Sequence, residues 1–137
     1  VSAKENIKSS LTSYLNRELR SLNDVELVET DPEWELNVLA VELKTTGGYK
    51  SGVALSVVII SPFINQMLSG FFQEQFEDAG LKMTSDLYLY PDHWLDVGPA
   101  DKLQDLCKDV IATFDTKHLE EGRKSFRLLQ KIQKKTK

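Results

Sequence analysis

Two apolar segments decide the fold: WELNVLAVELK at residues 34–44 and VALSVVII at residues 53–60. Both segments are rich in β-branched and leucine side chains, which favour extended structure. The link between them, TTGGYKSG at residues 45–52, is polar and contains glycines, which tolerate the positive φ angles of a tight turn. The pattern predicts an antiparallel strand pair in the middle of a sheet.

The spacing of apolar residues in this hairpin predicts how it is buried. The even positions of residues 34–40 are apolar, but from Leu39 onward the odd positions are apolar as well. Alternate side chains of a strand point to opposite faces. Either a β-bulge near Val38 re-aims the first strand, or the sheet is covered on both faces. The second strand is apolar at both parities over residues 57–60, which favours a central strand with cover on each face.

Composition places the chain among globular proteins. With 137 residues it has the length of one domain, and 41% hydrophobic with 28% charged residues argues against wholesale disorder. The single cysteine, Cys107, excludes an intramolecular disulfide and a cysteine-based zinc site. No apolar run approaches the ~20 residues that span a bilayer. The chain begins at Val1 rather than Met, so we expect that an upstream segment, such as a secretory leader, was removed.

Helical patterns flank the hairpin in the chain. A Ser2–Glu5 capping box precedes an apolar stripe, which predicts an amphipathic helix over residues 3–22. A short strand is predicted at residues 25–28, before a break at Asp31-Pro32. A second helix is predicted after Pro62, and its stripe is unusually aromatic. The stripe consists of Phe63, Ile64, Met67, Leu68, Phe71, Phe72 and Phe76.

The last third of the chain predicts extended structure and then a long helix. Residues 83–90 and 93–97 look like two strands around Pro91-Asp92, or like one long strand bent at Pro91. Residues 100–119 carry a helical stripe that continues toward the carboxyl end. We therefore expect a single α+β domain over residues 1–137. Its antiparallel sheet has four or five strands, and the amino- and carboxy-terminal helices pack mainly on one face.

The order of elements suggests a relationship. A capped helix, the stretch VELV at residues 25–28, and then WELNV at residues 34–38 in a long hairpin resemble the small α+β domains of bacterial envelope proteins, namely the TolB amino-terminal and CsgG-like domains. The resemblance covers residues 3–60. It implies an exported domain of the periplasm or cell envelope that binds another protein and catalyses nothing; a cytoplasmic location is the alternative.

Two aromatic groups are candidate contact residues. Phe71 and Phe72 lie on the predicted aromatic helix, where burial in the core is the competing interpretation. The second group lies around the predicted bend, and it contains Tyr88, Tyr90, His93 and Trp94. Both groups would suit a protein partner or self-association. The second would alternatively line a pocket for a small ligand or a hydrolase reaction.

The carboxyl end is strongly basic. From Arg123 onward there are seven basic residues and no acidic one, although the whole chain has a net charge of −4. One interpretation is a solvated helix end or tail over residues 123–137. The other is contact with an anionic membrane surface through Arg123, Lys124, Arg127, Lys131, Lys134 and Lys135. Because aromatic residues are not interleaved with the cations, the pattern argues against nucleic-acid binding.

No catalytic motif accompanies these patterns. His93 and His118 are the only histidines, so a histidine-based reaction must use one of them. Asp92 is next to His93, but neighbouring residues of a strand face opposite ways. Asp115 lies three residues before His118, which allows a contact along one helix face. We expect Cys107 to pack in the core. The sequence predicts no catalytic residues, no cofactor and no metal site.

Overall fold

The computed structural model describes residues 1–30, 32–61, 89–124 and 127. Within them the chain forms an antiparallel sheet and two α-helices, so the predicted α+β class is confirmed. The strands are β1 (Glu35–Lys44), β2 (Lys50–Ser61) and β3 (Leu89–Gly98), in the order β1-β2-β3. The α-helices are α1 (Glu5–Arg20) and α2 (Leu103–Phe114). A 3₁₀ turn, Ala100–Lys102, precedes α2, and a π-helical turn, Asp115–Leu119, follows it.

The described part of the sheet has three strands rather than four or five. Strand β3 runs through Pro91 without a hairpin. It therefore contains the end of the segment predicted at residues 83–90 and all of the segment predicted at residues 93–97. The pairing of β2 with β3 shifts register between Ile59 and Ser61, opposite Tyr90 and Pro91. A proline has no N–H to donate to a ladder, so a bulge on an outer strand of this sheet accommodates it. Residues 83–88 of the predicted segment lie outside the described residues, as does the predicted aromatic helix.

The predicted strand at residues 25–28 is wrong. These residues belong to an irregular connection between α1 and β1, residues 21–34, in which Leu27 and Val28 are exposed. The amide of Val25 donates to the carbonyl of Leu22, which bends the chain just after the helix. Val25 packs against the core while the following residues turn away from it. The short apolar run therefore supplies one buried contact instead of a strand.

The hairpin of β1 and β2 has an uninterrupted register from Glu35 to Leu43. No bulge occurs near Val38; the only irregularity lies between Leu43 and Lys44. The apolar residues at both parities therefore belong to one regular strand with two apolar faces. Among the described residues only β2 is central, since β1 pairs with β2 on one side and, on the other, with Ser2.

One face of the sheet carries the core, and we call it the inner face. Alternate residues of β1 and β2 lie there under both helices, so the amino-terminal helix and α2 share this face. Leu55, at the centre of β2, has no exposed surface. The sheet contributes Val38, Ala40, Val53, Leu55, Val57 and Ile59 to the core. The helices contribute Leu11, Leu15, Leu19, Leu103, Cys107, Val110, Ile111 and Phe114.

The amino terminus pairs with the sheet instead of capping a helix. The Ser2 amide donates to the Val38 carbonyl at 2.8 Å, and the Ala40 amide donates to the Ser2 carbonyl at 2.9 Å. Helix α1 starts later, at Glu5, with Lys4 as its N-cap and no side-chain cap. The predicted capping box is therefore wrong, because the backbone of Ser2 is held beside β1.

Replacing Leu55 tests the inner face. Leu55→Ala removes a fully buried side chain and should lower the free energy of unfolding by about 2–5 kcal/mol, because a cavity remains beneath the helices. Ser56→Ala, one residue further on the opposite face, should change it by less than about 0.5 kcal/mol. Urea unfolding followed by tryptophan fluorescence measures both. Equal effects of the two substitutions would contradict the assignment of faces.

Candidate functional site

A turn of π-helix interrupts the helical chain where α2 ends. Residues Asp115–Leu119 form this wider turn, and helical backbone resumes at residues 120–124. Single π-turns within α-helices occur frequently at functional sites because they re-aim the side chains around them. Here the turn lies against the start of β3 and beside the connection of residues 21–34. The side chains that meet there, which we call the π-turn cluster, are Asp24, Asp92, Asp115, Lys117, His118 and Arg123.

Asp92 is the point at which β3 is joined to the π-turn. Lys117 Nζ donates to Asp92 Oδ2 at 3.1 Å, and His118 Nε2 lies 3.6 Å from the same oxygen. The hydrogen bond from Lys117 holds the pKa of Asp92 below its ordinary value, against a smaller opposing effect of burial. The Asp92 carboxylate is therefore ionised at neutral pH, and it is paired with the ammonium group of Lys117.

His118 is enclosed by aromatic rings. Its side chain is only 10% exposed, and its ring centroid lies 5.5 Å from that of Trp34 and 5.9 Å from that of Phe114. The distance from Nε2 to Asp92 is too long for a hydrogen bond, and this nitrogen has no other protein partner among the described residues. Two aromatic rings therefore pack against the imidazole, and little of its side chain is exposed. The arrangement suits packing better than proton transfer.

Arg123 joins three separate parts of the chain. Its Nη2 donates to Asp24 Oδ1 at 2.6 Å, its Nε donates to the other oxygen, and its Nη1 lies 2.7 Å from Asp115 Oδ1. Two parallel bonds from one guanidinium to a carboxylate are among the stronger polar contacts in proteins. They lower the pKa of Asp24 and raise that of Arg123. The arginine thus fixes the connection of residues 21–34 to the helix that follows α2.

The contact between Asp115 and His118 that the sequence allowed does not form, and Asp92 and His93 face opposite ways, as expected for neighbours in a strand. His118 faces Asp92 on β3, whereas Asp115 pairs with Arg123, since the π-turn separates the directions of residues that an α-helix would align. Asp92 contacts the π-turn, while His93 points to the opposite face of β3 and is exposed. The sequence shows these charged residues but not their pairing, because each pair joins positions far apart in the chain.

The predicted aromatic group is divided between surfaces. Trp94 is half-buried on the inner face, where its Nε1 donates to Asp96 Oδ2 at 2.8 Å and Lys117 Nζ lies 5.7 Å from its ring. His93 lies on the face of the sheet opposite the core, and Tyr90 is 68% exposed. The described residues therefore gather no pocket from these three side chains. Phe71, Phe72 and Tyr88 lie outside the described residues.

The predicted basic surface is partly engaged. Arg123 is held by two aspartates, and Lys124 Nζ lies 3.3 Å from Glu120 Oε2 one helical turn earlier. Arg127 is exposed and helical. Lys131, Lys134 and Lys135 lie outside the described residues. Of the six cations in this group, Arg123 and Lys124 are paired with acidic side chains, and only the Arg123 pairs join distant parts of the described chain.

No metal site or membrane span occurs in the part of the chain that the structure describes. Across residues 1–30, 32–61, 89–124 and 127, no three histidine, cysteine or acidic side chains converge as metal ligands would. Within the same residues, no helix combines the length and apolar character needed to cross a bilayer.

Comparison with known proteins finds no match. No family model fits the chain, and no curated protein and no solved structure shows significant similarity to it. Its function is therefore argued from its own residues.

Removing Arg123 should destabilise the domain in a pH-dependent way. The lowered pKa of Asp24 means that its ionised form stabilises the fold above the ordinary carboxyl pKa, and that this contribution is lost as the pH falls below about 4. Arg123→Met should therefore lower the free energy of unfolding at pH 7, with a smaller difference at pH 3.5. Lys124→Met is the matched control, since its exposed pair with Glu120 contributes little. Urea unfolding at several pH values measures this, and a difference that is independent of pH would contradict the role of Asp24.

Cys107 should be unreactive in the folded chain. Cys107 lies on the core-facing side of α2 and is fully buried. This burial, assisted by the negative charge of Glu18, raises the pKa of the thiol to about 11. Only the thiolate reacts with disulfide reagents, so labelling by 5,5′-dithiobis(2-nitrobenzoate) at pH 8 should be slow until urea unfolds the chain. Rapid stoichiometric labelling of the folded protein would contradict this placement.

Proposed function

We propose that this chain is a non-enzymatic binding or accessory domain of an exported bacterial envelope protein. It contacts a protein partner through the end of the sheet at which β1 and β3 begin, which we call the contact end. The observation that carries this proposal is the exposure of Leu27 (40%) and Val28 (53%) on the connection that leads into β1, and of Tyr90 (68%) near the start of β3. Exposed apolar side chains that form a contiguous patch mark sites of interaction, and we propose that these three form one such patch with a partner.

The backbone that presents Leu27 and Val28 is held at both ends. Asp24 is bound by Arg123, and Trp34 packs edge-on against Phe114 with their centroids 6.0 Å apart. Connections as long as residues 21–34 that lack secondary structure are typically functional. Because these contacts order the connection before binding, binding a partner would cost less conformational entropy.

The charges near Leu27 and Val28 indicate the chemistry of the partner. Glu26, Glu29 and Glu33 are exposed on the same connection. A partner that places an apolar patch within a basic rim would complement this surface, and the charges would increase the rate of encounter. The same acidity, together with a net charge of −4, disfavours nucleic acid.

The fourth strand that the sequence predicts is part of this proposal, as a strand added at the outer edge of β1. Ser2 already makes two backbone hydrogen bonds along the outer edge of β1. An extended segment that continued this pairing would enlarge the sheet without disturbing the core, as in other cases of strand addition.

Binding from a bacterial envelope extract tests the contact end. The variant Leu27→Ser/Val28→Ser/Tyr90→Ser removes the apolar side chains but leaves the anchors Arg123 and Trp34. Tyr49→Ser, at the exposed turn between β1 and β2, is the control at the opposite end of the sheet. The immobilised wild-type chain and both variants are incubated with the extract, and retained proteins are quantified by mass spectrometry.

The expected result is a retained protein that the triple variant loses by about tenfold or more, which corresponds to 1.4 kcal/mol, and that Tyr49→Ser keeps. Equal retention by wild type and triple variant would overturn the proposal. Urea unfolding confirms that each variant is folded. Sedimentation of the wild-type chain tests self-association, and a dimer lost only in the triple variant would make the partner a second copy.

A further inference from the structure

The outer edge of β1, on the side away from β2, is a long and regular strand edge. The strand has ten residues, and its register with β2 is uninterrupted from Glu35 to Leu43. It contains no proline, and apolar side chains lie on both of its faces, with Val38 inside and Leu39 outside. Such an edge presents a row of amides and carbonyls with which a strand of another chain can pair unless the edge is covered.

Among the described residues, Ser2 covers this edge. Alternate residues of an antiparallel strand direct their N–H and C=O groups to opposite sides. The Val38 carbonyl and the Ala40 amide both bond to Ser2, so the even-numbered residues of β1 direct their backbone groups to the outer edge. The odd-numbered residues, such as Val41, direct theirs to β2. Ser2 therefore stands in the place of a neighbouring strand, opposite the middle of β1.

A buried carboxylate holds residues 1–4, which we call the strap. The side chain of Glu42, near the end of β1, is only 7% exposed, and Lys4 Nζ lies 3.7 Å from its Oε2. Asn6 Nδ2, in the first turn of α1, donates to Glu42 Oε1 at 3.0 Å, and Lys50 Nζ on β2 lies 2.7 Å from the same oxygen. These bonds, that of Lys50 foremost, hold the pKa of Glu42 below its ordinary value, so the carboxylate is ionised at neutral pH.

The strap has few apolar contacts with the rest of the described chain. Ser2 and Lys4 are exposed, and Ala3 is the strap residue that packs against the core. Segments with few buried apolar contacts open at a smaller cost in free energy than the core does. The hairpin would remain when the strap opens, because β1 is paired with β2 along its whole length.

We infer that the strap is a releasable cover of a strand-pairing site, and that this site accepts β1 of a second copy of the chain. The inference deepens the strand addition of the proposed function, and it rests on that proposal only in that the edge of β1 accepts a strand. Ser2 runs parallel to β1 and lies opposite its middle, so the added strand takes the place of Ser2.

The sequence of β1 suits pairing with itself. Two copies of one strand pair antiparallel about a twofold axis, so the same edge serves both copies. With Leu39 on the axis, Val38 of each copy lies opposite Ala40 of the other, and these residues direct their backbone groups to the edge. In this register Glu42 lies opposite Leu36, and no like charges face each other. The inner faces of both copies lie on the same side of a continuous sheet.

Native-state hydrogen exchange tests the release of the strap. The Ala40 amide bonds to Ser2, whereas the Val41 amide is directed to β2. In dilute protein, the protection factor of Ala40 should be at least about tenfold lower than that of Val41, and at least about tenfold above that of unstructured backbone. Equal protection of both amides would mean that the strap opens only with the hairpin, and an unprotected Ala40 would mean that the strap is no cover. Either result would overturn the inference.

Two glutamate substitutions on β1 test what holds the strap. Glu42→Gln removes the charge that Lys4 and Asn6 contact, and Glu35→Gln removes an exposed charge from the other end of the same strand. The first should speed exchange of Ala40 by at least about fivefold and change Val41 by less than about twofold, because charge-assisted bonds are the strong ones. The second should change neither amide. Equal effects of the two substitutions on Ala40 would contradict the role of Glu42.

Sedimentation of strap variants tests the occupant of the site. Ser2→Pro removes the amide that donates to Val38, and Ser2→Ala is the matched control that keeps it. At one protein concentration, Ser2→Pro and Glu42→Gln should each form a dimer fraction at least about fivefold larger than wild type and Ser2→Ala do. Urea unfolding confirms that each variant is folded. Protection of Ala40 that rises with the concentration of Ser2→Pro would locate the dimer contact at the edge of β1.

Two further results would overturn the inference. One is a Ser2→Pro chain that stays monomeric although its Ala40 amide has lost protection, since the open edge would then not accept a second copy. The other is a dimer that forms without protecting Ala40, since its contact would lie elsewhere. Leu27, Val28 and Tyr90 are unchanged in all of these variants, so failure of the proposed contact end is measured separately.

Discussion

The contact between alternate side chains of β2 and the two helices is the interaction on which the rest of the structure depends. Val53, Leu55, Val57 and Ile59 are almost completely buried, and they lie between strands on both sides and helices above. Because a one-residue slip would exchange the faces of the strand, this burial also fixes the register of β1 and β3. Asp92, the member of the π-turn cluster that lies on the sheet, takes its position from that register.

The polar contacts at the contact end are arranged around this core and do not replace it. Asp92 reaches Lys117 because β3 is aligned on β2, and Arg123 reaches Asp24 because α1 and α2 pack side by side. These carboxylates are ionised and internally paired, so the cluster resembles an anchor more closely than a reactive centre. The proposed recognition of a partner depends on this anchored connection and its exposed apolar residues. A flexible tail with the same apolar residues would lose more conformational entropy when it bound a partner.

The two faces of the sheet raise different questions. The inner face is filled by the two helices, whereas the opposite face carries the exposed residues Leu39, Val41, Leu95 and Val97 in two neighbouring rows. In the sequence, this second apolar face is visible as apolar residues at both even and odd positions of the hairpin. A regular strand with two apolar faces is typical of a sheet that is covered on both sides.

The sequence by itself determined the local elements. Alternation over residues 34–60 specifies the hairpin, and helical spacing specifies α1 and α2, because these signals depend on neighbours a few residues apart. The same local patterns misassigned residues 25–28 and the Ser2 capping box. There, distant contacts with Arg123, the core and β1 outweigh weak local preferences.

Only the tertiary structure decided how charged residues are paired. Asp92 with Lys117 and Asp24 with Arg123 are joined across many residues, and nothing in the spacing of a single sequence specifies such partners. The π-turn, which no sequence pattern announced, also turned His118 away from Asp115 and toward Asp92. Local periodicity determined the elements of this protein, whereas its candidate site was decided by packing, because packing alone brings distant charges within reach of one another.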